Sequence, residues 1–565
     1  MVKINKTLGL ALLTALAAGC SSDNDVAQAP EPVNNNGSAA YATLRIDLPT
    51  QQGSRAVSSF EDGLTNEYDV KDATLLVFKK ANSTDAEGDY TFVEKVDLGN
   101  MDPWTKQGKN GITTTADVTA KLTKATRADL KANKYYGLVI LNNGTDAAPK
   151  ITLPDVGTTF STWNNDTTNV NATKMLVTSN GIVMANAPEW TATNPVPTTL
   201  VQINGANVRT NAAKAKEAGP AAEIHVERGL AKVTMESLTN KNPSSETYKE
   251  DKVTITDWAL DVTNKSSFPV HNIDGLATDY PDIWKYTEGS PAPTYNRFKD
   301  QTNSFKRVYW GKDPNYDGDT RNQKGDAALN ACKEAFNMVK YMTDKTVAFK
   351  HTFGVENPQY CLENTFNLSN MTQGQTTRVL LKATYNYKKN DGSASKTFYK
   401  FGNSSKLYTA KELEDALKAR YLELNPTEND VTVTLAGTGN DITKAGVHEL
   451  KDANFSKTGS TLPTEKITTY ENGVCYYIGR IRHFDNTETP WNRGESYGTD
   501  NQKYLGRYGV LRNNWYDLKV NTVVGPGEPE IPEVIPENPD DDDTYIDLSV
   551  KILQWAKHTT QELDI

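Results

Sequence analysis

Tyr545-Ile546-Asp547-Leu548-Ser549-Val550-Lys551-Ile552, close to the carboxy terminus, alternates polar and apolar side chains without a break. A period of two puts Ile546, Leu548, Val550 and Ile552 on one face of an extended strand. No partner strand lies nearby in sequence, because a Pro/Glu/Asp segment, residues 525–543, precedes it and a polar terminus follows. Prolines extend such a segment and its carboxylates repel one another, so 525–543 is expected to be a semi-rigid spacer holding 544–565 away from the body. A lone strand with an apolar stripe and an unpaired backbone must find a sheet.

A similar strand occupies the other end. Ala42, Leu44, Ile46 and Leu48 alternate with Thr43, Arg45 and Asp47, and the run stops at Pro49. The small, polar stretch 50–59 then presents Arg55 as a loop residue open to a protease. Cutting between Arg55 and Ala56 would release the strand bearing Leu44, Ile46 and Leu48. The groove left behind could be filled by another molecule's tail strand. Such a head-to-tail contact need not close into a ring, and its repetition gives a filament.

Between these ends the chain reads as short β-branched and aromatic runs separated by Asn, Gly, Asp, Ser and Pro, as in antiparallel sandwiches. Strands are predicted at 73–78, 136–141, 174–177, 253–262, 379–385, 431–435, 474–481 and 515–524. The fold class is therefore all-β, with small helical insertions. The clearest helix spans 410–424, with Thr409 and Glu412 at capping-box spacing and Leu413, Ala416, Leu417, Tyr421 and Leu424 on one face. The Ala/Lys/Gly/Pro stretch 211–222 marks a seam, after which Ile224-His225-Val226-Glu227-Arg228 is expected to open a second domain. The domains expected are 56–222 and 223–524. With 565 residues, 23% charged and 37% hydrophobic, the chain is neither disordered nor a membrane bundle. Its net charge of −10 repels phosphate backbones, which argues against nucleic acid as a partner.

Residues 1–19 read as an export signal, with Lys3 and Lys6 ahead of a short apolar run. Ala17-Ala18-Gly19-Cys20 resembles the lipobox of bacterial lipoproteins, so Cys20 is the expected lipidation site and 20–55 a lipidated propeptide. Cys332, Cys361 and Cys475 remain; a Cys332–Cys361 disulfide is possible, but a buried free thiol is the stronger reading, with Leu329, Cys332, Phe336 and Val339 expected on one face of a helix. The six histidines stand singly, without an H-E-x-x-H or G-x-S-x-G pattern, so no catalytic residue, cofactor or metal is expected. Asp313-Pro314-Asn315-Tyr316-Asp317-Gly318-Asp319 has half of a calcium loop, but Lys324 stands where a closing Glu belongs, and an Asp/Asn-rich turn is the better reading.

The chain resembles the Bacteroidota fimbrillins, especially the stalk subunits of the short, or minor, type of fimbria. The resemblance is carried by the lipobox at Cys20, the Leu48-Pro49 and Arg55-Ala56 segment, Val226-Glu227-Arg228 with Ala231-Lys232-Val233, and Arg512-Asn513-Asn514-Trp515-Tyr516-Asp517-Leu518-Lys519-Val520, together with the acidic linker and last strand. It implies two transthyretin-like Greek-key β-sandwich domains in tandem and a carboxy-terminal donor strand. It further implies an outer-membrane lipoprotein precursor, an Arg-specific processing protease, and polymerisation with copies of itself and with anchor and tip subunits into an adhesive, biofilm-forming fimbria. The alternative is a tip or accessory adhesin that binds a glycan through Tyr309, Trp310, Trp491 and Tyr497.

Overall fold

The computed structural model describes residues 40–48 and 64–554, save 541–545, 191–195, 319, 486–487 and parts of 100–113, 281–306 and 491–500. The amino-terminal sheet is built from β1 (Ala40–Asp47), β2 (Ala73–Lys79), β3 (Thr91–Asp97), β4 (Thr115–Leu122), β5 (Tyr135–Leu141), β6 (Met184–Asn186) and β7 (Ala222–Arg228), in the order β3-β2-β5-β6-β7-β1-β4. Alternation decides the inward face: Leu44, Ile46, Leu75, Val118, Val139 and Ile224 share one core. The two outermost strands are joined by Glu94 of β3, whose carboxylate accepts the N–H groups of Thr123 and Lys124 just beyond β4.

The strand expected to open a second domain belongs instead to this sheet. β7 pairs in parallel with β1 and antiparallel with β6, and the chain leaves the sheet only after Arg228. The reason is physical: Ile224 and Val226 complete the core around β1, whose buried backbone needs a partner on both sides.

Two further sheets lie face to face beyond it. One, ordered β10-β8-β17-β18, comprises β8 (Ala231–Met235), β10 (Gln359–Cys361), β17 (Asn514–Val523) and β18 (Ile546–Gln554); the other, β9-β11-β16, comprises β9 (Lys252–Asp261), β11 (Arg378–Asn386) and β16 (Val474–Arg480). Their core holds Val233, Trp258, Leu381, Tyr477 and Leu518. A small sheet, β13-β12-β15-β14, is formed by β12 (Phe398–Phe401), β13 (Leu407–Tyr408), β14 (Gly446–His448) and β15 (Ile467–Tyr470). It carries the helix Ala410–Leu424, whose Thr409–Glu412 capping box forms as expected and whose Leu413, Leu417 and Tyr421 are buried. The fold class is thus the β-rich one expected.

Locally, two predicted strands are not strands. Residues 174–177 fall at the end of a helical turn, Ala172–Met175, because the Asn171 side chain caps the N–H of Lys174. Residues 431–435 make only an isolated bridge between Val433 and Phe455. The helix Asp326–Ala335 ends before Phe336, and Cys332 is buried on it. Cys332, Cys361 and Cys475 are separate buried thiols, with Cys332 and Cys361 in different cores.

The acidic, proline-rich segment does not stand off. Residues 525–540 run as a strap over the outer side of the β9-β11-β16 sheet, where Ile531 packs beside Leu380 and Val534 beside Phe336. Glu528 and Tyr476 exchange both backbone hydrogen bonds at 2.8 Å. Tyr470 and Tyr477 donate their hydroxyls to the carbonyls of Gly527 and Gly525, and Asp540 accepts from Thr376. Apolar Ile531, Val534 and Pro536 among the carboxylates give the segment a side to bury, which outweighs charge repulsion.

Candidate functional site

The two end strands occupy very different seats. β1 lies between β4 and β7 with backbone partners on both edges. Leu44 and Ile46 are fully buried and Leu48 nearly so. Burial is worth about 1.5–3 kcal/mol for each such aliphatic side chain. The outward residues are also tied: Arg45 forks onto Asp117 at 2.9 and 3.0 Å, and Thr115 donates to Asp47 at 2.5 Å. The Asp117 hydrogen bond raises the Arg45 pKa above its ordinary value. Beyond β1, Leu48 exchanges bonds with Thr114 at 2.9 Å. Taking β1 away would strip partners from two strands and open an apolar slot. Cys20, Arg55 and Ala56 lie outside the described residues.

The tail strand does not wait unpaired. β18 runs antiparallel along β17, with Ile546 opposite Val523, Leu548 opposite Val520, Val550 opposite Leu518 and Ile552 opposite Tyr516. Val550 is buried in the core between the two sheets and Leu548 packs against it. Among the described residues β18 is the outermost strand of its sheet, so its ladder there has one partner where β1 has two.

Between the two ends runs a polar seam whose function the sequence reading did not assign. Glu67, on the short helix Thr65–Tyr68 ahead of β2, is fully buried and meets the equally buried Lys232 at 2.7 Å. Tyr360 donates to Glu67 at 2.6 Å, and the Arg228 guanidinium donates to the Glu67 carbonyl. The Lys232 ammonium sits 3.8 Å from the Trp515 ring centre; burial lowers its pKa although Glu67 opposes this. Alongside, Glu227 binds Arg307 and accepts from His271 at 2.7 Å, while Arg512 meets Glu363 at 3.0 Å. These are the residues of Val226-Glu227-Arg228, Ala231-Lys232-Val233 and Arg512-Asn513, so the motifs behind the resemblance form the buried seam between the amino-terminal and carboxy-terminal sheets. Charged residues spaced through apolar runs were the available signal.

The other candidates fall to packing. Tyr309 and Trp310 are buried in an aromatic cluster with Phe298, Phe366 and Phe484, so they offer no exposed platform; Tyr497 packs against Tyr504 with the rings tilted, and Trp491 lies outside the described residues. In the Asp/Asn turn, Asp313 accepts from the backbone of Asn315 and Thr365 and from Asn264, and Arg321 donates to the carbonyls of Asn315 and Asp317. The Asp313 carboxylate is thus held by protein N–H donors, and the guanidinium ties two backbone carbonyls of the turn together. Of the histidines, His225 faces Glu189, His271 faces Glu227 and His483 faces Tyr516, each in a separate place.

Fold and site together define a multi-sheet structural β-protein whose two terminal strands are both seated in sheets. Residues 468–561, which run from β15 through the strap and the tail strand, match the family model described as Major fimbrial subunit protein type IV, Fimbrillin, C-terminal. Over these residues the chain is similar to the carboxy-terminal part of a fimbrillin. No curated protein sequence matches the chain. Among solved structures, a fimbrilin of Porphyromonas gingivalis W83 is similar at 13% identity, with 91% of this chain and 97% of that one covered and a TM-score of 0.36. A putative cell adhesion protein of Parabacteroides distasonis is similar at 12% identity, with coverages of 92% and 100% and a TM-score of 0.36. The tip fimbrial protein Mfa3 of Porphyromonas gingivalis, truncated at its carboxy terminus, is similar at 10% identity, with coverages of 91% and 100% and a TM-score of 0.25.

Proposed function

We propose that this chain is a stalk subunit of a surface fimbria, exported as a precursor lipidated at Cys20 and activated by cleavage between Arg55 and Ala56. Cleavage frees β1, and the tail strand of the next copy enters the slot between β4 and β7. Repetition builds an adhesive filament that carries attachment and biofilm formation, with anchor and tip subunits at its ends.

The observation that carries the reading is the difference between the two seats. In its own chain the tail strand has one ladder partner, β17, whereas the vacated slot offers two. The incoming strand also repeats the outgoing one, since Ile546-Asp547-Leu548 matches Ile46-Asp47-Leu48. Moving the tail from an edge to a central position gains a second row of backbone hydrogen bonds, each worth about 0.5–1.5 kcal/mol net, and burial on a fuller core. That surplus drives exchange once β1 has gone.

The test is to treat the soluble protein lacking residues 1–20 with an Arg-specific protease, map the cut by mass spectrometry, and follow size by gel filtration and denaturing gels. Cleavage at Arg55 should convert monomer into a ladder of stable oligomers, and deletion of 545–565 should abolish the ladder. A protein cut at Arg55 that stays monomeric would overturn the reading.

A further inference from the structure

Gly479 lies in the interior of β16, opposite Val379 of β11. Its φ is not among the positive values, so the backbone does not require glycine there. Glycine inside a strand is unfavourable unless something approaches closely. The inward positions of β16 and the residue after it are Cys475, Tyr477, Gly479 and Ile481; the other three carry side chains in the core between the sheets. A Cβ at Gly479 would lie 1.8 Å from Cδ1 and 3.0 Å from Cγ of Leu548, and 2.8 Å from Cγ1 of Val379. The missing side chain is filled by the tail strand reaching across from the facing sheet.

We propose that Gly479 is the specificity-determining residue of the tail's seat: a socket for Leu548 that sets how long the tail strand stays on its own body. The seat is therefore built into the body, on a strand of the opposite sheet, rather than being a chance resting place along the edge of β17. A strand with leucine at this register fits it, and a strand whose side chain clashes with a filled socket does not. The link from residence time to assembly rests on the proposed role of the tail as donor; the socket itself does not.

Hydrogen exchange on the full-length precursor tests it. Gly479→Ala should speed exchange of the 546–554 amides by about tenfold or more, as an overpacked contact does, while β1, in the amino-terminal sheet, keeps its protection. The effect should depend on Leu548: in a Leu548→Ala background the same change should accelerate the tail less than about twofold. Unchanged tail exchange in Gly479→Ala, or equal acceleration in both backgrounds, overturns the socket. Where Gly479→Ala also speeds exchange in β11, through the contact with Val379, the dependence of the tail on Leu548 still decides, because the Val379 contact is the same in both backgrounds. After cleavage at Arg55, Gly479→Ala should form oligomers faster. If the tail answers to the residue pair and no oligomers form in any variant, the socket stands and the donor-strand reading falls.

Discussion

Burial alone would raise the pKa of Glu227, but Arg307 and His271 outweigh it and hold the carboxyl at about 2, below its ordinary 4.5. Its stabilising contribution is therefore complete above about pH 4.5 and is lost as pH falls toward 2. Asp313 shows the opposite balance. Burial pushes it from 3.8 up to about 7, against hydrogen bonds from Thr365, Asn264 and Asn315. Its folded pKa is raised, so that contribution is complete below about pH 4 and is lost as pH rises through about 7. Glu227→Gln should cost about 3–5 kcal/mol at neutral pH, because it leaves buried cations without their anion. Thermal unfolding across pH should show that cost shrinking as pH falls below about 4.5. For Asp313→Asn the cost should instead shrink as pH rises from about 4 to 7.

At the scale of elements, β1 and the strap make separate predictions. Leu44 is fully buried in the amino-terminal core. Leu44→Ala should lower precursor stability by about 2–5 kcal/mol in urea unfolding. If β1 is released as proposed, the same substitution should have no effect on the remaining body. The strap is expected to behave as part of the body, since the N–H of Glu528 is bonded to Tyr476 and that of Asp540 to Met371. Both amides should exchange slowly in the monomer, whereas a solvated spacer would exchange at the rate of an unstructured chain. The alternation that marks β1 and β18 was legible because an apolar face at period two is a local pattern. The strap was not, because composition records its carboxylates and prolines but not the apolar surface beneath Ile531 and Val534.

Over the whole molecule, the sheets are joined through both apolar and ionic contacts. Leu230, Val270 and Leu362, from beyond the amino-terminal sheet, pack with Leu76, Phe78 and Ile140 on its outer face. Beside them the buried Glu67–Lys232 pair links the segment between β1 and β2 to β8. Lys232→Met would leave a buried carboxylate without its cation and should cost about 3–5 kcal/mol. Calorimetry should then resolve the amino-terminal sheet from the rest as a separate, earlier transition. The seam also explains why two short charged motifs, near 226–232 and 512–520, carry so much of the resemblance: each buried charge requires its partner, so neither residue type is freely exchangeable.

By itself, the sequence determined the β-rich class, the helix at Ala410–Leu424 with its cap, and the two alternating terminal strands. Each is set by neighbours a few residues apart, through side-chain periodicity or a local hydrogen bond. Only the tertiary structure decided that β7 belongs beside β1, that the strap lies on the body, that the tail is seated on β17, and that Gly479 receives Leu548. These are contacts between segments tens to hundreds of residues apart. Any exposed strand edge of suitable register satisfies a strand's alternation, and the final choice lies with the core that a particular pairing closes.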